Sequence, residues 1–149
     1  MVNVGEKAPD FKLKDQNQNE VFLSGFKGKN VLLAFYPFDF SPVCSTEFSC
    51  FQDDLSVLND LDVQVLGVSV DSHWSHKAFA DKLGLKFPLL SDFEKEVTRQ
   101  YGVLRQEGFS ERAYFLVDKH GIVKFRKVMP TPKDRLENIS LITEIESIK

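Results

Sequence analysis

Residues 30–36, NVLLAFY, form an almost unbroken apolar run that stops at Pro37. A run this short and this uniformly apolar suits a β-strand buried on both faces, which belongs in the middle of a sheet covered by helices. Proline has no N–H for a strand ladder, so the strand ends there. Ser41 then offers an N-cap and Pro42 a first-turn proline, and together they predict a helix over residues 41–58. A second buried run, DVQVLGVSV (62–70), follows, so that residues 30–70 read as a strand–helix–strand unit.

The flanking segments extend this unit. Residues 10–14 and 20–23 surround the polar stretch DQNQN (15–19) and predict a short hairpin before the main domain. Downstream, a helix is expected over 75–83, ending near Gly84, and a shorter one over 94–101, closed by Gly102. Residues 113–117 and 122–128 alternate apolar and polar around DKHG (118–121), a hairpin signal. Leu136, Ile139, Ile142, Ile145 and Ile148 recur every three residues and predict one face of a closing helix. A βαβ half followed by a ββα half gives an α/β protein with a mixed central β-sheet flanked by helices and an N-terminal β-hairpin, the thioredoxin-like fold. With 149 residues and 42% hydrophobic side chains, residues 1–149 suit a single domain, and 14 phenylalanines spread along the chain read as core material.

Composition narrows the functional classes. A formal charge of −3 with no Lys/Arg run gives no footprint for nucleic acid. No apolar stretch approaches a membrane span, and the N-terminus MVNVGEKAPDF resembles neither a signal nor a transit peptide, so a cytoplasmic protein without a membrane partner is expected. Two cysteines are too few for a disulfide framework and leave catalysis, metal binding or burial as their uses.

Cys44 stands in the first turn of the expected helix, directly after a buried strand. Unpaired backbone N–H groups and the positive end of the helix dipole favour a thiolate there and are expected to lower its pKa. A nucleophilic thiolate also needs donors for the charge that develops on its substrate, and the Ser41 hydroxyl lies close in sequence.

Pro37, Ser41 and Cys44 in YPFDFSPVCSTE resemble the peroxiredoxin active-site loop: proline, three residues, Thr or Ser, two residues, cysteine. The resemblance covers most of the chain. GEKAPDF (5–11) is similar to the family's N-terminus, GVSVDSHWSHKAFA (67–80) to its second strand and helix, FPLLSD (87–92) to its middle, and SERAYFLVDKHG (110–121) to the segment with its active-site arginine. The subgroups it resembles are the bacterioferritin-comigratory (peroxiredoxin Q) and one-cysteine AhpE-like proteins. The resemblance implies a thiol-dependent peroxidase that reduces hydrogen peroxide or alkyl hydroperoxides through a sulfenic acid at Cys44, in antioxidant defence. Pro37 would shield the pocket, Ser41 would hydrogen-bond the peroxide, Arg112 would stabilise thiolate and transition state, and Glu47 would orient the arginine. No cofactor is implied. Electrons would come from a thiol reductant such as thioredoxin or a glutaredoxin-like protein, and the enzyme would be a monomer or homodimer.

This chain departs from the pattern in two places. Serine stands at 41 where threonine is commoner, which keeps the hydroxyl and loses a methyl that restrains its rotamer. The single-chain subgroup places a resolving cysteine five residues after the first, where this chain has Ser49, while Cys50 lies at the sixth. In a regular helix a six-residue offset is a rise of about 9 Å and a rotation of about 240°, beyond the roughly 4.4–6.8 Å Cα separation of a disulfide. Cys50 therefore serves as a resolving cysteine only if the helix unwinds; otherwise the mechanism uses one cysteine, and Cys50 is a buried helix residue. A Cys₂His₂ zinc site with His73 and His76 lacks the usual ligand spacing, and a polar loop and helix start accounts for both histidines. Trp74 is expected partly exposed, at a subunit contact. A thioredoxin-type disulfide reductase would need Cys-x-x-Cys, and Ser41 occupies its first position. A redox-inactive thioredoxin-fold binding module is the remaining alternative. Phe38, Phe40 and Phe109 are expected at a pocket mouth suited to organic substrates.

Overall fold

The computed structural model describes residues 2–148. Strands β1 (Lys12–Lys14), β2 (Glu20–Phe22), β3 (Asn30–Phe35), β4 (Val63–Ser69), β5 (Leu89–Ser91), β6 (Ala113–Val117) and β7 (Val123–Val128) form one mixed sheet in the order β2-β1-β5-β4-β3-β6-β7. The apolar run 30–36 is central as expected: β3 pairs parallel with β4 and antiparallel with β6. Its alternation sorts the core into two halves. Leu32, Ala34 and Tyr36 face α1 (Pro42–Asp53), α2 (Leu55–Asp60), α3 (His73–Leu83) and α5 (Asn138–Ser147), whereas Val31, Leu33 and Phe35 face Phe11, Tyr101 and the side of α4 (Glu96–Gln100).

Several expectations are corrected. The hairpin does not precede the sheet but extends it, through Lys14 against Ser91. The strand it meets, β5, was not foreseen from the sequence; three residues behind Pro88 are too few to show a period. The helix expected over 41–58 is two helices, because Asp54 leaves helical geometry at φ −96°, ψ 9°. Its carboxylate accepts from Asn138 Nδ2 at 2.9 Å, tying the break to the start of α5. α3 begins at His73, two residues before the expected start, capped by the Ser72 hydroxyl, which accepts from Ser75 N at 3.2 Å. α4 is shorter than the expected 94–101. On α5 the three-residue stripe holds except at Ile139. Each step of three falls about 60° short of a full turn, so the stripe drifts across the helix face. Ile139 is 71% exposed, whereas Leu136, Ile142 and Ile148 pack half-buried against the core and Leu141 joins the fully buried Ile145, four residues on.

One close approach positions the cysteine-bearing helix. A Cβ on Gly67 of β4 would lie 2.9 Å from Leu89 Cδ2 and 3.0 Å from Phe48 Cε2. Lacking one, Gly67 lets Phe48 settle on the sheet, and α1 with it, one turn after Cys44.

Candidate active site

β3 delivers the chain to Pro37, and the loop 37–41 turns it into α1, with Phe40 in the left-handed region at φ 68°. Ser41 has the extended backbone of an N-cap, but its side chain makes no capping hydrogen bond. The capping role read from the sequence is thus not the one its hydroxyl plays. That oxygen is buried without a hydrogen-bond partner among the described residues, while lying near enough to Cys44 to favour its thiolate. Pro37 is buried against the site, and Cys44, three residues into the helix, is 0% exposed.

Arg112 immediately precedes β6 and is 1% exposed. All three of its guanidinium nitrogens are used. Nη2 donates to Cys44 Sγ at 2.8 Å, Nη1 to Glu47 Oε1 at 2.7 Å, and Nε to the Pro132 carbonyl at 3.0 Å. Glu47, one turn along α1 and 0% exposed, takes its second donor from the Tyr114 hydroxyl. A rigid fork of donors suits this three-way contact in a way an ammonium would not. Four of the predicted residues, Ser41, Cys44, Glu47 and Arg112, therefore meet in one place, and Pro37 is buried at the start of the loop that leads to them.

The electrostatics differ from the sequence expectation. Burial pushes the Cys44 thiol up from its ordinary value; the Arg112 charge, the Ser41 hydroxyl, the Arg112 hydrogen bond and the Phe38 backbone N–H pull it back. Burial outweighs them in the closed site. Burial likewise pushes Glu47 up, opposed first by Arg112 and then by Tyr114. The site thus holds a sulfur whose anion is selectively solvated by one cation and a set of neutral donors, in a volume closed to bulk water.

Behind the loop lies a buried polar network that sequence reading missed. Asp39, in the middle of the loop, accepts from Tyr36 OH at 2.6 Å and from Ser75 Oγ at 2.8 Å, and lies 2.8 Å from His76 Nδ1. His76 Nε2 donates to the Leu90 carbonyl at 3.0 Å, and Asp39 N donates to Asp71 Oδ2 at 2.8 Å. His76 is therefore no loop histidine: it is 0% exposed and pins the loop to α3 and β5. Its side chain points inward because it sits one turn past the Ser72 cap, on the face that carries Phe79. The one available signal was Tyr36, a polar-tipped residue at the end of a buried strand, which needs a partner. Asp39, Asp71 and His76 bring ligand atoms within 4.8 Å of one another, but each is engaged by the hydrogen bonds above or by Ser69.

Cys50 is half-buried, and both cysteines are free thiols on one continuous helix. Phe38 pairs with Phe109 at 4.9 Å between ring centroids, beside the Phe38 N–H that faces Cys44. Phe40 does not join them; its ring packs edge-on against Phe79 of α3 at 5.2 Å. Trp74 is more exposed than expected, at 72%.

A model of the AhpC/TSA family matches residues 4–126. Alkyl hydroperoxide reductase E of Mycobacterium tuberculosis is 42% identical over 132 residues, which cover 86% of each chain. The mitochondrial thioredoxin-dependent peroxide reductase of Drosophila melanogaster is 41% identical over 145 residues, covering 90% of this chain and 62% of the relative. Among solved structures, Enterococcus faecalis AhpC superposes with a TM-score of 0.92 at 31% identity, over 99% of this chain and 93% of the other. The reduced 2-Cys peroxiredoxin of Plasmodium vivax superposes at 0.89 with 35% identity, covering 97% and 95%.

Proposed function

Since this chain belongs to the AhpC/TSA family and is a peroxiredoxin, a thiol-dependent peroxidase of thioredoxin-like fold, we propose that its attacking sulfur is Cys44 and that Pro37, Ser41, Glu47 and Arg112 build the peroxide site. The observation that carries this reading is the 2.8 Å contact between the Arg112 guanidinium and Cys44 Sγ in a fully buried setting. The thiolate attacks the nearer peroxide oxygen, an S–O bond forms as the O–O bond breaks, and the departing alkoxide or hydroxide takes a proton and leaves as alcohol or water. Cys44 becomes a sulfenic acid. Arg112 and the partnerless Ser41 hydroxyl are the donors for the two oxygens, where charge grows in the transition state. Pro37 excludes water.

The sulfenic acid is then reduced by an external thiol: a first thiol displaces water to form a mixed disulfide, and a second releases Cys44 as a thiol. A one-cysteine cycle is favoured because α1 is continuous from Pro42 to Asp53 and its end is tied by Asp54 to Asn138, which opposes the unwinding that Cys50 needs. The thiol donor is of the thioredoxin or glutaredoxin-like class. The Phe38–Phe109 pair supports an apolar rim that favours alkyl hydroperoxides over hydrogen peroxide. The single sheet supports one domain over residues 1–149. No described helix is long and apolar enough to cross a membrane, and the two free thiols support a reducing compartment such as the cytoplasm. The exposed Trp74 supports a subunit contact, and the protein is a monomer or homodimer.

Intact mass under non-reducing conditions, after one equivalent of hydrogen peroxide is added to reduced protein, tests the scheme with Cys44→Ser and Cys50→Ser alongside. Wild type should gain one oxygen, trappable with dimedone, as should Cys50→Ser. A wild type that instead loses two hydrogens would make Cys50 the resolving residue. An unreactive Cys44 would end the assignment.

A further inference from the structure

Tyr114 is fully buried in β6, two residues beyond Arg112, and so projects on the same side of the strand. Its ring belongs to the core half that holds Cys44 and Phe48. Its hydroxyl donates to Glu47 Oε2 and accepts from the Leu136 backbone N–H at 3.2 Å. That accepted bond matters, because the N–H occupies an oxygen lone pair and leaves the hydroxyl hydrogen aimed at the carboxylate.

We propose that Tyr114 is a positioning residue for the peroxidase reaction: by holding Glu47 through Oε2, it limits the carboxylate to a single contact with Arg112 and so leaves Nη2 free for Cys44. Glu47 and Cys44 compete for one cation. A carboxylate with both oxygens free takes two parallel hydrogen bonds from a guanidinium, the strongest arrangement that pair can form. Here Nη2 is directed to sulfur and Nε to the Pro132 carbonyl, so Glu47 receives only Nη1. The second carboxylate oxygen must be satisfied elsewhere, since the group is fully buried, and Tyr114 is the donor that satisfies it. The hydrogen bond also draws charge away from the carboxylate, which weakens its claim on Arg112 relative to the thiolate. Pro132 and Leu136 lie in the same connection between β7 and α5, so one segment fixes both the arginine and the tyrosine.

This inference rests on the assignment of Cys44 and Arg112 above, and its test separates the two. The variant is Tyr114→Phe in the full chain, which keeps the ring in the core and removes only the hydroxyl. The readout is the pH dependence of Cys44 ionisation, from ultraviolet thiolate absorbance and from the rate of alkylation by iodoacetamide, in a Cys50→Ser background. Released from Tyr114, Glu47 takes more of Arg112, and the Cys44 pKa should rise by about one unit, equivalent to about tenfold less thiolate below it. In a Glu47→Gln background the same substitution should cause less than a third of that shift, an outcome that a merely structural loss of the hydroxyl would not produce. If Tyr114→Phe fails to fold, Leu136→Pro, which deletes the N–H that orients the hydroxyl, should give a smaller shift in the same direction. An unchanged or lowered pKa in the folded variant, or an equal shift with and without Glu47, overturns the proposal. If wild type consumes peroxide through Cys44 and only these shifts are missing, this inference alone falls; if Cys44→Ser keeps the wild-type rate, the assignment beneath it falls too.

Discussion

Arg112→Lys keeps a positive charge in the site and discards the fork. An ammonium is a compact donor, and at that position it cannot reach Sγ, Glu47 Oε1 and the Pro132 carbonyl together, contacts that now lie at 2.8, 2.7 and 3.0 Å. The full negative charge of Glu47 makes it the preferred partner, and the sulfur loses its charged donor. A hydrogen bond to a charged group contributes about 1.5–3 kcal/mol, so the peroxide reaction should slow by about ten- to a hundredfold. The pH dependence carries a second signature. Arg112 opposes, by charge and by hydrogen bond, the upward push that burial gives Cys44; with those contributions weakened the thiol pKa rises further. The rising limb of the rate–pH curve should therefore move to higher pH, with the defect greatest at low pH and shrinking above the variant's pKa. Competition kinetics against a reference peroxidase measures the second-order rate from pH 5 to pH 10, and thermal unfolding establishes that the variant is folded. A folded Arg112→Lys with the wild-type rate across that range would refute the reasoning.

The loop anchor and a turn carboxylate give further tests. His76→Leu leaves Asp39, whose side chain is 1% exposed, without its contact to the imidazole, and with Tyr36 and Ser75 still donating the loss should be about 1–3 kcal/mol, the cost of an unmet buried hydrogen bond; urea unfolding checks it, and a cost below about 0.5 kcal/mol would show that the network does not hold the loop. Burial pushes Asp118 up but is outweighed by the backbone N–H groups of Ile122 and His120 and by Lys124, so its pKa is lowered. A carboxylate lowered on folding contributes stability above its unfolded pKa and loses it as pH falls through the folded value. Asp118→Asn should accordingly cost about 0.5–1 kcal/mol at pH 7, and the gap between the two proteins should close below the ordinary carboxylate range; a gap that persists in acid would contradict this.

The elements that were legible in the sequence are those whose signal is local. The run 30–36 shows its burial on both faces by composition, Pro37 ends it by lacking an N–H, and Pro42 starts the next helix by its fixed φ. Cys44, Ser41 and Pro37 were legible for the same reason, since eight consecutive positions carry their spacing. Arg112 was found only through its family resemblance, because nothing in ERAYF reveals that its guanidinium turns inward. β5 went unseen because three residues carry no period, and Ile139 was misplaced on the α5 face because a repeat of three drifts by about 60° at each step.

What the sequence by itself determined, then, was the order of most of the strands and helices and the place of Cys44 in a first helical turn, all consequences of side-chain pattern and backbone restriction over a few neighbouring residues. The tertiary structure decided the rest. Only folding brings Arg112 across 68 positions to Cys44, sets Tyr114 against Glu47 across 67, and joins Asp39 to His76 across 37. It also reversed the expected direction of the Cys44 pKa. The helix end favours a thiolate, but enclosure removes the water that would solvate it, and the strength of that opposing effect depends on packing from α1, β6 and the β7–α5 connection, which no stretch of neighbouring residues encodes.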